Sequence, residues 1–234
     1  MAGDPLPAPT PSPAEDGPST EERLLAAAEK LFAERGFAAT SVRDITAEAR
    51  TSVAAVNYHF GGKDSLYREL FVRRLRAMRE QRLQAIQRVL EAADAAANAA
   101  PGPVDPARLL RAFADAFLEP VSDWERGRNL VRLLTREFVD RNLPPEIFCD
   151  EMIRPVEAAF VAALRRAVPG LGEREAVLVA HFFVAQLMYI VDMAELVGTL
   201  DGRHALGSSF EALVDDIVRF STAGLAAYAP GKTA

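Results

Sequence analysis

The sequence predicts an all-α fold of about nine helices, and three observations support it. Alanine, leucine, arginine and glutamate dominate the 234 residues, and β-branched residues rarely cluster as strands require. Apolar residues recur three and four positions apart over most of the chain, which is the period of a helix with one buried face. Most of the 15 prolines fall in the first 18 residues or where these periodic stretches begin and end.

Composition also excludes several classes of protein. Half of the residues are hydrophobic, so the chain can bury a sizeable core. The most apolar stretch, 176–198, is interrupted by Asp192 and Glu195 and predicts a buried helix rather than a membrane span. The first residues lack the basic start and apolar stretch of a signal peptide. The single cysteine, Cys149, leaves no internal disulfide. We therefore expect a cytoplasmic protein without membrane contact.

The net charge of −6 is unevenly distributed. Residues 21–82 carry about 12 basic and about 9 acidic side chains, so this segment is near +3 and the remainder near −9. A basic module on an acidic body is typical of a protein that meets DNA phosphates at one end only.

The chain begins with a tail that is followed by an amphipathic helix. Residues 1–19 are rich in Pro, Ala and Ser and have no apolar periodicity, so we expect them to be disordered. They contain no Lys or Arg, which argues against a basic arm in the minor groove. The first helix begins at Ser19 or Thr20, since either hydroxyl can cap it. Gly36 ends it in a position suited to a left-handed cap.

Two short helices follow. Thr40 or Ser41 caps the second helix and Ser52 caps the third, with a turn at 49–51 between them. The third helix is a weak stability element whose outward residues are small or polar. They are Ala54, Ala55, Asn57, Tyr58 and His59. Small side chains allow close approach to base edges, and the polar ones reach bases or phosphates. Each polar residue alone is more readily explained as a packed or surface group, but their clustering on one outward surface favours a helix that reads nucleic acid.

Two basic residues lie beside predicted helix N-termini, where backbone N–H groups attract phosphate. Arg43 is in the first turn of the second helix. Lys63 starts a fourth helix after the sharp turn that Gly61 and Gly62 permit. A solvated surface arginine is an equally good interpretation of Arg43 by itself. Together with the third helix, the two cations predict a phosphate clamp.

The rest of the chain predicts a larger helical bundle. The fourth helix continues from Lys63 or Asp64 toward residue 97, with one apolar face. Its other faces carry Arg73, Arg74, Arg76, Arg79 and Arg82. A loop over 92–106 separates it from five further helices. Their predicted ranges are 106–119, 124–141, 145–168, 173–197 and 207–228, followed by a tail at 229–234. Pro155 lies inside its helix and is expected to kink it.

Residues 22–70 resemble the N-terminal domain of the TetR family of bacterial transcriptional repressors. The family's Leu-Phe…Arg/Lys-Gly-Phe/Tyr pattern matches residues 31–37, its Thr-Ser/Thr-x-Arg-x-Ile pattern matches 40–45, and its Tyr-x-Phe-x-x-Lys pattern matches 58–63. Two positions depart from the family. Arg50 stands where glycine is usual, so it must adopt a positive φ or relax the turn. Thr51 stands where an apolar residue is usual.

The resemblance implies a DNA-binding domain over 20–66, with its third helix in the major groove, and an effector-binding and dimerisation domain over 67–228. The implied DNA contacts are Arg43, Ser52, Ala54, Ala55, Asn57, Tyr58, His59 and Lys63. Of these, Tyr58, His59 and Lys63 would mostly hold phosphates, and Ala54, Ala55 and Asn57 would lie nearest the bases. A homodimer would place its two DNA-binding domains about 34–36 Å apart, or slightly more, on a near-palindromic operator of double-stranded DNA.

The implied function is a repressor that a small-molecule effector releases from its operator, with the fourth helix coupling the two sites. The alternative is a ligand-independent activator or architectural protein of the same fold. Candidate effector-pocket residues are Phe113, Phe117, Trp124, Arg136, Phe138, Phe148, Met152, His181, Phe182 and Tyr189. Candidate dimer-interface residues, on the last two long helices, are Met188, Val191, Phe210, Leu213, Val214 and Ile217.

An enzyme built on a helical bundle is the interpretation from another class. The three histidines, His59, His181 and His204, lack metal-ligand spacing. No nucleophile elbow or phosphate-cradling glycine loop occurs. We therefore expect no catalysis, no metal and no cofactor.

Overall fold

The structure, a computed structural model, describes residues 17–97, 101–122, 124–198 and 210–228. Within these ranges every regular element is helical. The first helices are α1 (Thr20–Arg35), α2 (Val42–Glu48), α3 (Val53–Phe60) and α4 (Lys63–Ala96). The others are α5 (Pro106–Ser122), α6 (Trp124–Asp140), α7 (Pro145–Phe148), α8 (Arg154–Ala167), α9 (Glu173–Gly198) and α10 (Phe210–Leu225). A π-helical segment, Cys149–Ile153, joins α7 to α8, and a 3₁₀ turn, Ala226–Tyr228, follows α10.

The all-α prediction is confirmed, as is the number of helices. Because α7, the π-helical segment and α8 follow one another without a break, the described ranges contain nine continuous helices. Most of the predicted N-terminal tail, the whole tail at 229–234 and the predicted start of the last helix at 207 lie outside the described residues.

Reciprocal hydrogen bonds explain where α1 and α2 begin. The backbone N–H of Glu22 donates to Ser19 Oγ at 3.2 Å, and the N–H of Ser19 donates to Glu22 Oε2 at 2.7 Å. Ser41 and Asp44 form the same capping box at the start of α2. Such a box satisfies two N–H groups that a helix start leaves unpaired. Of the alternatives in the sequence, the structure therefore selects Ser19 and Ser41 as the caps.

Thr40 and Gly36 shape the connection from α1 to α2. Thr40 is buried, and its hydroxyl donates to the carbonyl of Gly36 at 2.8 Å, so it supports the loop instead of capping α2. Gly36 has a φ of +82° with an extended ψ, which is not the left-handed helical cap that the sequence predicts. The positive φ favours glycine here, and a Cβ at Gly36 would lie 3.4 Å from Arg136 Nη1 of α6, close to ordinary van der Waals contact.

Two apolar clusters organise the chain, and α4 belongs to both. The N-terminal cluster includes Ile45 and Val56, and it extends past the predicted boundary at residue 66 to Tyr67 and Phe71. The larger cluster, the body core, follows α4 over residues 72–86 and continues through α5 to α10. At about 1.5 Å per residue, the 34 residues of α4 span about 51 Å. α4 is therefore long enough to connect the two clusters directly.

The π-helical segment accommodates Pro155. Pro155 lacks the N–H that would bond the carbonyl of Glu151 four residues earlier. That carbonyl instead accepts from Arg79 Nη1 at 2.9 Å, and the carboxylate of Glu151 accepts from Arg76 Nε at 2.8 Å. The irregularity that the sequence predicts as a kink is thus a π turn just before the proline. Arg76 and Arg79 tie α4 to this segment.

α6 lies between the N-terminal helices and the body. Its Arg136 donates from Nε to the carbonyl of Ala33 at 2.9 Å and from Nη2 to the carbonyl of Glu34 at 3.0 Å. Its buried Glu137 accepts from the hydroxyl of Tyr67 at 2.7 Å. Burial and this hydrogen bond raise the pKa of Tyr67 well above its usual value, so the hydroxyl stays protonated and donates. These contacts bind α6 to both α1 and α4.

Candidate nucleic-acid interface and internal cavity

The turn between α2 and α3 is closed by a left-handed arginine. Arg50 has a φ of +52°, so of the two alternatives that the missing glycine leaves, the chain adopts the positive φ. The N–H of Arg50 donates to the carbonyl of Ala47 at 3.3 Å, and that of Thr51 donates to the carbonyl of Thr46 at 2.9 Å. The left-handed conformation costs a non-glycine residue about 1–2 kcal/mol. The turn is kept, and Arg50 adds an exposed cation beside α3.

α3 presents small and polar side chains to solvent. Its Val56 is fully buried and anchors the helix in the N-terminal cluster. Tyr58 is 85% exposed, and its ring meets that of the exposed His59 edge-on, with centroids 5.0 Å apart. Ala55 is half-buried. The remaining predicted contacts on this surface, Ser52, Ala54 and Asn57, are exposed. An aromatic ring this exposed contributes nothing to the core, so its surface is free to meet a partner.

The two cations predicted beside α3 have different surroundings. Arg43 is exposed on α2, and its guanidinium has no ion-pair partner among the described residues. Lys63 is half-buried: its Nζ donates to the carbonyl of Phe37 at 2.7 Å and lies 4.1 Å from the centroid of the Phe37 ring. An ammonium group has three N–H donors. Lys63 therefore keeps donors for an anion, although Phe37 sets its position.

The acidic groups of α2 have cationic partners on α1. Glu48 pairs with Lys30 at 2.7 Å, and Asp44 lies 3.9 Å from Arg35. The hydrogen bond from Lys30 lowers the pKa of the Glu48 carboxyl, which stays ionised at neutral pH. Since both acids are matched within the domain, Arg43 leaves this surface with an unbalanced positive charge.

A cavity of about 590 Å³ lies in the body, between α4, α5, α6, α8 and α9. This volume is within the range of small-molecule sites in proteins. Aromatic rings form much of its wall: Phe113, Phe117, Phe138, Phe148 and Phe160. Among the described residues, no three metal-ligating side chains converge here or elsewhere. The cavity can therefore surround an apolar molecule.

Six of the ten predicted pocket residues line this cavity: Phe113, Phe117, Phe138, Phe148, Met152 and His181. Three others were wrongly assigned to it. Arg136 points to the end of α1, and Phe182 and Tyr189 are 63% and 58% exposed on the outside of α9. The side chain of Trp124 lies outside the described residues. Residue type alone does not tell which face of a helix meets the cavity, which is why these three were misplaced.

Most of the predicted dimer residues face the interior of the single chain. Met188 and Val191 line the cavity. Val214 is buried, and Leu213 and Ile217 pack against the body core. The side chain of Phe210 lies outside the described residues. Among the described side chains of α9 and α10, the large apolar ones that face solvent are Leu178, Phe182 and Tyr189 of α9 and Phe220 of α10. We call these four residues the exposed apolar face.

α9 is apolar on two sides. By length and composition alone, Glu173–Asp192 could cross a membrane. However, Phe183 and Leu187 are buried in the body core, while Phe182 and Tyr189 face outward. A core helix that also contacts another protein needs the same two apolar sides, so composition is weak support for a membrane span.

Among the described residues, Arg82 is the buried charged side chain of the cavity wall, and the sequence prediction missed it by placing it with the arginines on the other faces of α4. It is only 4% exposed, and its guanidinium lies 4.1 Å from the centroid of the Phe117 ring. A signal was present: Met78, Arg82 and Ile86 are four positions apart, so Arg82 occupies the apolar stripe of α4. Burial lowers the pKa of Arg82 to about 10. The side chain therefore remains a cation at neutral pH.

Two protein-family models match the chain. One, described as bacterial regulatory proteins of the tetR family, matches residues 24–70. The other, described as a tetracyclin repressor-like C-terminal domain, matches residues 111–224. Together they span well over half of the chain.

Curated relatives match over shorter segments. The HTH-type transcriptional repressor Rv3405c of Mycobacterium tuberculosis is 56% identical over 43 residues, which is 18% of this chain and 23% of that protein. The "probable HTH-type transcriptional regulator YttP" of Bacillus subtilis is 40% identical over 52 residues, which is 22% of this chain and 25% of that protein. The chain thus aligns with about a quarter of the length of each relative.

Solved structures share the fold over nearly the whole chain. A TetR-family transcriptional regulator from Mesorhizobium loti superposes with a TM-score of 0.60 at 15% identity, covering 89% of this chain and 95% of that one. A transcriptional regulator from Rhodococcus sp. Rha1 superposes with a TM-score of 0.58 at 23% identity, covering 88% and 97%. At these identities the likeness concerns the fold alone.

Proposed function

Since the chain belongs to the TetR family of bacterial regulatory proteins and carries its DNA-binding helix-turn-helix, we propose that it is a cytoplasmic, homodimeric, non-enzymatic repressor that a small molecule releases from a palindromic operator. The observation that supports this proposal is the combination of an exposed α3 with a separate cavity of about 590 Å³. The first is suited to DNA and the second to an effector. Coupling between two such sites is what a ligand-responsive regulator requires.

α3 is proposed to enter the major groove. Ala54 and Ala55 allow the helix to approach base edges, and a methyl group such as that of Ala55 suits contact with thymine. The amide of Asn57 can both donate to and accept from a base edge. These three residues would select sequence.

The groups around α3 are proposed to hold the DNA backbone. Tyr58 and His59 extend from the helix, and Arg43 supplies a cation that has no ion-pair partner in the described part of the chain. The hydroxyl of Ser52 makes no capping hydrogen bond, so it remains available to a phosphate. Lys63 would contribute its remaining donors from a position set by Phe37. Such contacts add affinity and register without reading sequence.

A second copy of the chain is proposed to cover the exposed apolar face. Phe220 is 72% exposed on α10, and Phe182 and Tyr189 are exposed on α9. Large exposed apolar patches are unfavourable in water and mark interaction surfaces. A two-fold contact there would pair the last two long helices of each copy, as the family resemblance implies, but through these residues. The two DNA-binding domains would then face an operator with palindromic half-sites.

Effector binding is proposed to reach α3 through α6 as well as α4. Val131, Leu134 and Phe138 of α6 line the cavity, while Leu133 of the same helix packs in the N-terminal cluster. Arg136 adds hydrogen bonds to the end of α1. A ligand that displaces the cavity side of α6 would therefore shift the contacts between α6 and α1. This shift would change the orientation of the DNA-binding helices. Coupling through α4 alone, as the sequence predicts, would leave out this second connection.

A DNA-binding titration tests the reader. Fluorescence anisotropy with duplexes from the DNA upstream of the protein's own gene should show one sequence bound more tightly than its scrambled form, with affinity falling as salt rises. Arg43→Ala should weaken the binding of both duplexes. It should also reduce the slope of log affinity against log salt concentration by about one. Asn57→Ala should instead change the relative affinities for operator duplexes that differ by single base pairs. Arg88→Ala, an exposed change on α4, is the matched control and should leave binding intact. Equal affinity for operator and scrambled duplexes would contradict the proposal.

A further inference from the structure

The cavity wall contains a buried cation, Arg82, that has no ion-pair partner among the residues that the structure describes. Arg82 makes one hydrogen bond within the described residues, from Nη1 to the sulfur of Met152 at 3.1 Å. Its Nε is enclosed and has no acceptor. Desolvation by burial lowers the pKa of Arg82, and no carboxylate of the described part of the chain offsets it. Arg82 is thus an under-satisfied guanidinium in the cavity wall.

An unpaired buried charge is unfavourable, and buried arginines are normally paired with carboxylates. The ring of Phe117 compensates part of the cost, since a guanidinium over an aromatic face is attracted to it. A thioether is only a weak acceptor. The described residues around Arg82 therefore do not supply the strong acceptors that a guanidinium usually finds inside a protein.

The other charged groups of the cavity lie toward solvent. Glu157 pairs with His181 at 2.8 Å, and both side chains are partly exposed. Asp192 is exposed as well. Because these acids are solvated, and Glu157 also has a partner, the positive charge of Arg82 dominates the enclosed end of the cavity.

We propose that the cavity binds an amphipathic carboxylate, whose acid group pairs with Arg82 and whose apolar body lies against the aromatic wall. The planar guanidinium matches a carboxylate in both charge and hydrogen-bond geometry. Phe113 and Phe160, stacked with centroids 4.1 Å apart, are part of that wall and suit an alkyl or aryl body. The inference rests on the proposed function, because it names the chemical class of the effector.

Calorimetric titration of the full chain tests this. The probes are decanoate, decanamide and decylammonium, and 2-naphthoate with 2-naphthamide, each below its aggregation concentration. At least one carboxylate should bind roughly ten-fold or more tightly than its amide, the difference expected for a hydrogen bond to a buried charge. Arg82→Met keeps a long apolar side chain and should remove this preference while leaving amide binding unchanged. Arg88→Met removes an exposed arginine from the same helix. It should change neither the preference for carboxylates nor the binding of amides.

Several results would overturn the proposal: amides that bind as tightly as carboxylates, a preference that survives in Arg82→Met, tightest binding of decylammonium, or no binding of either carboxylate. Arg82→Met should melt at the native temperature or above, because it removes an unpaired buried charge. Arg82→Lys retains the charge and should keep part of the preference. It therefore preserves the comparison if the methionine variant does not fold.

Operator release is a separate measurement. If decanoate binds through Arg82 but leaves the operator bound, the ligand class stands and the effector role in the proposed function fails. If neutral ligands release the operator equally well from the native chain and from Arg82→Met, the proposed function stands and the carboxylate inference fails.

Discussion

Removing the hydroxyl of Tyr67 should weaken the contact between α4 and α6. This hydroxyl donates to Glu137 Oε2 at 2.7 Å, and both residues are buried. The same carboxylate accepts from the N–H of Leu143 at 2.7 Å and from Asn142 at 3.2 Å, so its position is fixed. A hydrogen bond to a charged group contributes about 1.5–3 kcal/mol. Tyr67→Phe should therefore lower the free energy of unfolding by about 2 kcal/mol, which corresponds to a fall in Tm of about 4–8 °C for a chain of this size.

A double-mutant cycle with Glu137→Gln isolates this contact. Tm is measured by circular dichroism at one protein concentration, since the stability of a dimer depends on concentration. The cycle should give a coupling of about 1 kcal/mol between the two positions. Tyr58→Phe removes a hydroxyl from an exposed ring and should change stability by less than about 0.5 kcal/mol. The reasoning is refuted if Tyr67→Phe behaves like Tyr58→Phe, or if the effects of Tyr67→Phe and Glu137→Gln simply add.

Three further predictions concern the turn, the outer face of α9 and acid stability. Arg50→Gly should raise the free energy of unfolding by up to about 1 kcal/mol in urea, because relief of the left-handed strain exceeds the entropy that glycine adds to the unfolded chain; a loss of stability would contradict this. Phe182→Glu should convert the proposed dimer to monomer in sedimentation equilibrium, whereas Val53→Glu, also at an exposed apolar residue, should not; a dimer that persists in Phe182→Glu would exclude this face. The hydrogen bond from Arg76 lowers the pKa of Glu151, so its stabilisation is present above the unfolded pKa of about 4.3 and is lost as pH falls through the folded pKa. Glu151→Gln should therefore lower Tm at pH 7 and make the decline below about pH 4.5 shallower; parallel pH profiles would argue against the pair.

The order of the helices and the position of the helix-turn-helix were predictable from the sequence, because both depend on local signals. The period of the apolar residues sets each helix, and hydroxyl residues such as Ser41 mark its start within a turn. The small and polar residues at 54–59 identified α3 as the predicted recognition helix. This signal is also local, since one short helix brings its residues to one surface. Even here the sequence left two conformations open at Arg50, and the positive φ is a result of the folded turn.

The cavity and the outer surface were only partly predictable. Helical period indicates that a residue lies on an apolar face, but it does not say what that face meets. α9 has apolar residues on two sides, and the sequence assigned Phe182 to the cavity and Met188 to the dimer. In the structure Phe182 lies on the outside of α9, and Met188 lines the cavity. The cavity itself forms where five helices from distant parts of the chain come together.

The sequence by itself determined the fold class, the helix order and the position of the helix-turn-helix. Tertiary structure decided the roles of three polar side chains. Arg82 is enclosed beside Met152, Arg136 bonds to the end of α1, and Tyr67 bonds to Glu137, with partners 70 or more positions away in the chain. A charged side chain on a helix is expected in solvent unless a distant segment covers it. That covering depends on how the helices pack, which no local pattern encodes.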